Sequence, residues 1–204
     1  MKYLENIREI TALRPDYLGF IFYEQSPRFV GEDFEILALE DSQNPIEKTA
    51  VFVNQSNEVM VAKLMQYGIK TVQLHGGEST QQCRTLKQKG YTVIKAFSIG
   101  AYFDFSTLKD YEKVVDYFLF DTQSIGYGGS GISFNWDLLQ QYQLSTAFFL
   151  SGGLGLHNVQ QLLAVKHPML YGYDFNSSLE SEPGLKDREL VQSIIKIIKK
   201  NERI

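Results

Sequence analysis

The residues with chemistry to offer sit where apolar runs stop. Tyr117-Phe118-Leu119-Phe120 is continuously apolar and ends in Asp121-Thr122, so a carboxylate lies at the carboxyl end of a buried strand. Gly126, Gly128, Gly129 and Gly131 follow within six residues, and such a loop can bring bare backbone N–H groups against a ligand. A carboxylic acid that gives up a proton near neutral pH needs desolvation to raise its pKa. Phe118, Phe120 and Tyr127 are the neighbours expected to desolvate Asp121.

The ends of the other apolar runs collect a polar set: Ser26 and Arg28, Asn54, Gln73 and His75, Lys95, Ser151-Gly152-Gly153, and Asp174 with Asn176, Ser177 and Ser178. Parallel α/β barrels assemble their sites from such strand ends, and they often hold a phosphate between the last two loops. Gly152-Gly153 and Asn176-Ser177-Ser178 are small and hydroxylic, suited to that task through backbone N–H groups. Arg28 has two readings, a solvated loop charge or a clamp for a ligand carboxylate, and the first is the commoner. His75 reads most simply as a satisfied loop histidine. With three histidines and no helical His pair, no metal site is expected. Cys83, the one cysteine, falls on a helical stretch and reads as a packing residue.

Strands and helices must alternate to place these ends together. Leu4, Ile7, Ile10 and Leu13 give an opening helix, stopped at Pro15. Strands are expected at 17–23, 49–54, 71–75, 92–97, 117–122, 147–152 and 170–176. Ser56 caps one helix, Ser79 with Gln82 forms a capping box for the next, and Asp187 caps the last. Further helices are expected around 107–115, after Phe134 and over 156–165. The expectation is one domain over residues 1–204, with seven strands and eight helices. No Gly-rich phosphate loop follows Tyr23, which argues against an open doubly wound sheet. The tally fits an eight-stranded (β/α)8 barrel lacking its first strand, the chain opening on a helix.

The bulk composition is ordinary: 204 residues, 44% apolar, 22% charged and a net charge of −4. That balance argues against nucleic-acid and anionic-membrane partners, and the single cysteine suits a reducing cytoplasm. A small phosphorylated molecule, caught by a local cluster, is the expected ligand.

Ordered blocks across the chain resemble one family. They are Gly19-Phe20-Ile21-Phe22-Tyr23 with Ser26-Pro27-Arg28, Val51-Phe52-Val53-Asn54, Val72-Gln73-Leu74-His75-Gly76 and Ile94-Lys95-Ala96-Phe97. Leu119-Phe120-Asp121-Thr122, Gly128-Gly129-Ser130-Gly131, Ser151-Gly152-Gly153-Leu154, and Glu180-Ser181 with Pro183-Gly184-Leu185-Lys186-Asp187 continue the series. The set is similar to phosphoribosylanthranilate isomerase, the (β/α)8 enzyme of tryptophan biosynthesis. The resemblance implies an Amadori rearrangement of N-(5-phosphoribosyl)anthranilate to 1-(2-carboxyphenylamino)-1-deoxyribulose 5-phosphate, without metal or cofactor. It makes Asp121 the general acid and Arg28 the holder of the anthranilate carboxylate. Gln73, His75 and Asp174 become pocket residues, and Gly152, Gly153, Asn176, Ser177 and Ser178 the phosphate site.

Three departures stand out. Ser178 replaces a usual Gly, and Gly155-Leu156 a Thr-Pro-type helix start. The family's opening strand, of the type Lys-(Val/Ile)-Cys-Gly, brings a thiol that serves as general base, and Met1 aligns just after it. Cys83 sits on the wrong element to replace that thiol. The expectations are a longer gene product, weak turnover by the sequence as given, and open barrel edges. Those edges would be covered by a partner chain or by Met1–Tyr3 turning inward, as a monomer or homodimer. Competing readings are a barrel of the indole-glycerol-phosphate synthase kind, a metal-dependent pentose-phosphate epimerase and a non-catalytic phosphate-binding barrel. The first needs a Lys/Glu constellation and the second paired His and Asp ligands.

Overall fold

The computed structural model describes residues 1–32, 34, 46–122 and 134–201. Seven parallel strands form one sheet: β1 (Tyr17–Ile21), β2 (Glu47–Phe52), β3 (Thr71–Leu74), β4 (Thr92–Ile99), β5 (Tyr117–Thr122), β6 (Phe148–Leu150) and β7 (Leu170–Tyr173). Strands adjacent in the chain are adjacent in space. The sheet curls: Tyr17 of β1 meets Phe149 of β6 edge-on at 5.4 Å, and its hydroxyl lies 3.5 Å from that of Tyr171 on β7.

The helices are α1 (Leu4–Thr11), α2 (Asn57–Gln66), α3 (Thr80–Gln88), α4 (Val159–Ala164) and α5 (Arg188–Asn201). The three expected caps are made. Ser56 Oγ accepts from Val59 N–H, Ser79 and Gln82 satisfy each other's backbone reciprocally, and Asp187 Oδ1 accepts from Glu189 and Leu190. Eight full helices are not seen among the described residues. The expected helices near 107–115 and after Phe134 are 3-10 segments, Phe105–Tyr111 and Trp136–Gln141. Asp104 and Asn135 each accept from the N–H two residues on, which sets a tight Asx turn in place of an α-helical first turn. A third 3-10 turn, Ser177–Leu179, leads into an unforeseen hairpin of β8 (Glu180–Glu182) and β9 (Leu185–Lys186) around Gly184. None of the helices among the described residues is long and apolar enough to cross a membrane.

Side chains alternate across each strand, so the sheet has two packed faces. Phe20, Phe52, Phe118, Phe120 and Phe148 face the helices in the main core. Ile94, Ala96, Leu119 and Phe149, with Tyr17 and Tyr117 against them, fill the concave side. On β5 this alternation puts Asp121 with Tyr117 and Leu119 on the concave side. Phe118 and Phe120 therefore point away from Asp121, correcting the expectation that they desolvate it. Tyr127 and the glycine loop 126–131 lie outside the described residues.

Among the described residues no hydrogen-bond ladder joins β7 to β1. Met1 turns inward at this seam: its side chain is buried, and its amino group donates to the Gly19 carbonyl at 2.9 Å. Burial pushes that amine down to about 5.

Candidate active site

The carboxyl ends of the strands open into a cavity of about 580 Å³ that continues down the seam. Arg28, Gln73, His75, Asp121, Asp174 and Ser177 all line it.

Asp121 is the penultimate residue of β5, where its Oδ1 accepts from the N–H of Thr122 at 2.9 Å. Its Oδ2 lies 3.3 Å from His75 Nε2. His75 follows β3 directly, and its N–H continues the ladder to the Phe52 carbonyl at 2.9 Å, which fixes the residue against β2. The other ring nitrogen, Nδ1, lies 3.1 Å from Gln73 Oε1, and the Gln73 side chain in turn hydrogen-bonds Asp174. Asp121, His75, Gln73 and Asp174 thus form one polar chain across the mouth, with a carboxyl group at each end. Enclosure by protein, reinforced by the charge of Asp121, pushes the Asp174 carboxyl above the usual range. A desolvated carboxyl of this site is therefore that of Asp174, just beyond the end of β7.

Arg28 reaches the same cavity in a salt bridge. Its Nε donates to Glu180 Oε2 at 2.8 Å, with Nη2 2.7 Å from the same oxygen. Lys186 Nζ donates to the other Glu180 oxygen at 3.1 Å and to Asn176 O and Oδ1 at 2.8 and 2.7 Å. Burial works against ionisation of Glu180, but the hydrogen bonds and charges of Arg28 and Lys186 outweigh it and hold the carboxyl below its usual range. Burial lowers the Lys186 ammonium. Sequence reasoning quoted Glu180 and Lys186 only as part of a family block and assigned them no place in the site. The signal was present as two opposite charges flanking Pro183-Gly184, because a hairpin there brings them face to face.

The two candidate phosphate loops abut. A Cβ placed on Gly155 would stand 2.9 Å from Ser178 Cβ. Gly152 and Gly153 have φ of +85° and +66°, and a Cβ on Gly152 would stand 2.4 Å from the Thr122 nitrogen. Asn158, also missed, ties the first loop: it accepts from Gly155 N–H and donates to the Gly153 carbonyl, both at 3.0 Å.

Ser26, Asn54, Lys95 and Cys83, also singled out from the sequence, do not line the cavity. Lys95 faces the helix side of β4, buried behind the cavity and bonded to backbone carbonyls. Cys83 is buried in α3, and burial raises its thiol to about 11, which suppresses the thiolate a nucleophile or base requires.

Comparison with known proteins agrees with this architecture. The family model for N-(5'-phosphoribosyl)anthranilate isomerase matches residues 1–197. The N-(5'-phosphoribosyl)anthranilate isomerase of Parabacteroides distasonis is 45% identical over 199 residues, covering 97% of this chain and 90% of that protein. The enzyme of the same name from Phocaeicola vulgatus is 44% identical, covering 98% and 95%. Among solved structures, Thermotoga maritima phosphoribosyl anthranilate isomerase superposes with a TM-score of 0.82 at 28% identity, covering 98% of this chain and 96% of that one. A related structure, with a TM-score of 0.78 at 26% identity over 98% and 95% of the chains, holds reduced 1-(o-carboxyphenylamino)-1-deoxyribulose 5-phosphate. With a family model over residues 1–197 and relatives 45% and 44% identical over nearly the whole length, the chain belongs to the N-(5'-phosphoribosyl)anthranilate isomerase family of enzymes.

Proposed function

We propose that the cavity carries out the Amadori rearrangement of N-(5'-phosphoribosyl)anthranilate in tryptophan biosynthesis. The observation that carries the reading is the convergence of Asp121, Arg28 and the paired loops at Gly152-Gly153 and Ser177-Ser178 on one cavity. Asp121 protonates the ribose ring oxygen, and the bond from that oxygen to C1 breaks to leave an iminium. Loss of the C2 proton gives the enolamine, which tautomerises to the ketose. His75, in contact with Asp121, keeps the acid aimed into the cavity. Asp174 and Gln73 hold the sugar hydroxyls. The phosphate is taken by backbone N–H groups of the two loops, with Asn176 fixed by Lys186 beside them. Arg28, backed by Glu180, faces the anthranilate carboxylate.

The residues lining the cavity include no thiol, and Cys83 is buried behind the sheet. On the family resemblance the C2 proton then leaves without its thiol base, and the sequence as given turns over weakly while binding the phosphorylated ligand. Following the loss of substrate fluorescence tests this. Asp121→Asn lowers the residual rate by about a hundredfold or more, the usual contribution of a positioned acid, with inorganic phosphate still bound. An unchanged rate in that variant removes Asp121 from the mechanism, and turnover at the level of the related enzymes removes the claim of a missing base.

A further inference from the structure

Behind the cavity wall lies a buried ion pair that the mechanism does not use. Lys95 Nζ sits 3.3 Å from Glu78 Oε2, with their side chains 2% and 0% exposed. The ammonium also donates to the carbonyls of Leu74 (3.1 Å), Gly76 (2.8 Å) and Ala96 (2.9 Å). The Glu78 carboxylate accepts from Asn54 N–H at 2.7 Å and from Gly76 N–H at 2.9 Å. The ends of β2 and β3 are thereby tied to the middle of β4. Asn54 adopts φ +54° and its Oδ1 accepts from Gly77 N–H at 2.7 Å, closing the turn from the other side. Gly76 has no room for a side chain, since a Cβ there would stand 2.4 Å from Asn54 Oδ1.

The residue enclosed by this knot is His75, bracketed by the Leu74 and Gly76 carbonyls that Lys95 grips. We infer that Lys95 and Glu78 are positioning residues: a buried clamp that fixes the β3 end so that the His75 ring stays against Asp121. A buried pair is an expensive way to gain stability, because desolvation offsets most of the attraction. Its geometric effect is specific, because each member has several fixed backbone partners. The inference rests on the acid role proposed for Asp121, and its test separates the two.

The double variant Lys95→Met/Glu78→Gln removes both charges together and leaves an acceptor for the Asn54 and Gly76 N–H groups. Asn54→Gly loosens the same turn without touching the buried pair, and glycine accepts the positive φ. Both variants are read by the ¹⁵N and ¹H signals of the His75 imidazole and by kcat and KM for the phosphoribosylanthranilate substrate. The expectation is an altered, motionally averaged His75 signal, with kcat lowered about tenfold to a hundredfold and KM changed far less, as for a misplacement near 1 Å. A His75 signal identical to the parent's in Asn54→Gly, or in a folded double variant, overturns the clamp whatever the activity. A displaced His75 signal with unchanged kcat keeps the clamp and removes His75 and Asp121 from the rate-limiting chemistry.

Discussion

The two acidic groups of the site that titrate abnormally do so in opposite directions, and pH separates them. The Asp174 carboxyl is raised above its ordinary 3.8 by enclosure and by Asp121. In the window just above 3.8 the folded protein holds a proton at Asp174 that the unfolded chain has released, so stability falls as pH rises through it. Glu180 is lowered by Arg28 and Lys186, so its contribution is present above the ordinary glutamate range and is lost as pH falls through the lowered value. Asp174→Asn therefore gains melting temperature relative to the parent as pH is raised from about 4 to about 7. A pH-independent difference in thermal melts denies the shift. The sequence shows Asp121 well, because an apolar run ending in a carboxylate is a local pattern. It does not show which phenylalanines face that carboxylate until the strand's period of two is applied. The Arg28–Glu180 pair spans 152 positions, and nothing local in either residue announces the other.

Caps and glycines carry the next level of information. Ser79 and Gln82 spell a capping box in four letters and make one, since both partners sit within a single turn. Ser79→Ala costs about 1 kcal/mol of stability by denaturant unfolding, with activity per folded molecule retained. No loss places the stability of α3 in its buried Cys83 and Leu86 face alone. Gly152 is different in kind. At φ +85°, pressed on Thr122, it locks the end of β6 to the end of β5. Gly152→Ala both strains the backbone and pushes Thr122, the residue next to Asp121, so activity falls more than stability does. Equal losses in melts and in kcat make Gly152 a packing residue only. The 3-10 segments were not legible as such: their apolar spacing suits an α-helix, and only the Asx turns at Asp104 and Asn135 decide for the tighter form.

The curl of the sheet and its seam follow from how the strand edges are satisfied. Phe22 N–H donates to Val51 O, so the even-numbered backbone groups of β1 point to β2 and the odd-numbered ones point to the seam. The Met1 amine on Gly19 O and Val30 N–H on Ile21 O confirm the alternation, since both approach from the seam side. The seven apolar runs read from the sequence are the seven strands of this sheet. What covers the seam was not legible: it depends on where Met1 and the Tyr17–Tyr171 contact fall in space. Aromatic contact of Tyr17 with Phe149 and Tyr171 narrows the cleft at the base but offers no acceptor to backbone amides. Hydrogen exchange separates the two faces of one strand. The amides of Tyr17 and Gly19 exchange at least about tenfold faster than those of Leu18, Phe20 and Phe22, which open only with the β1–β2 ladder. Equal protection on both faces shows that a further strand closes the seam in solution, and the aromatic contact is then its floor.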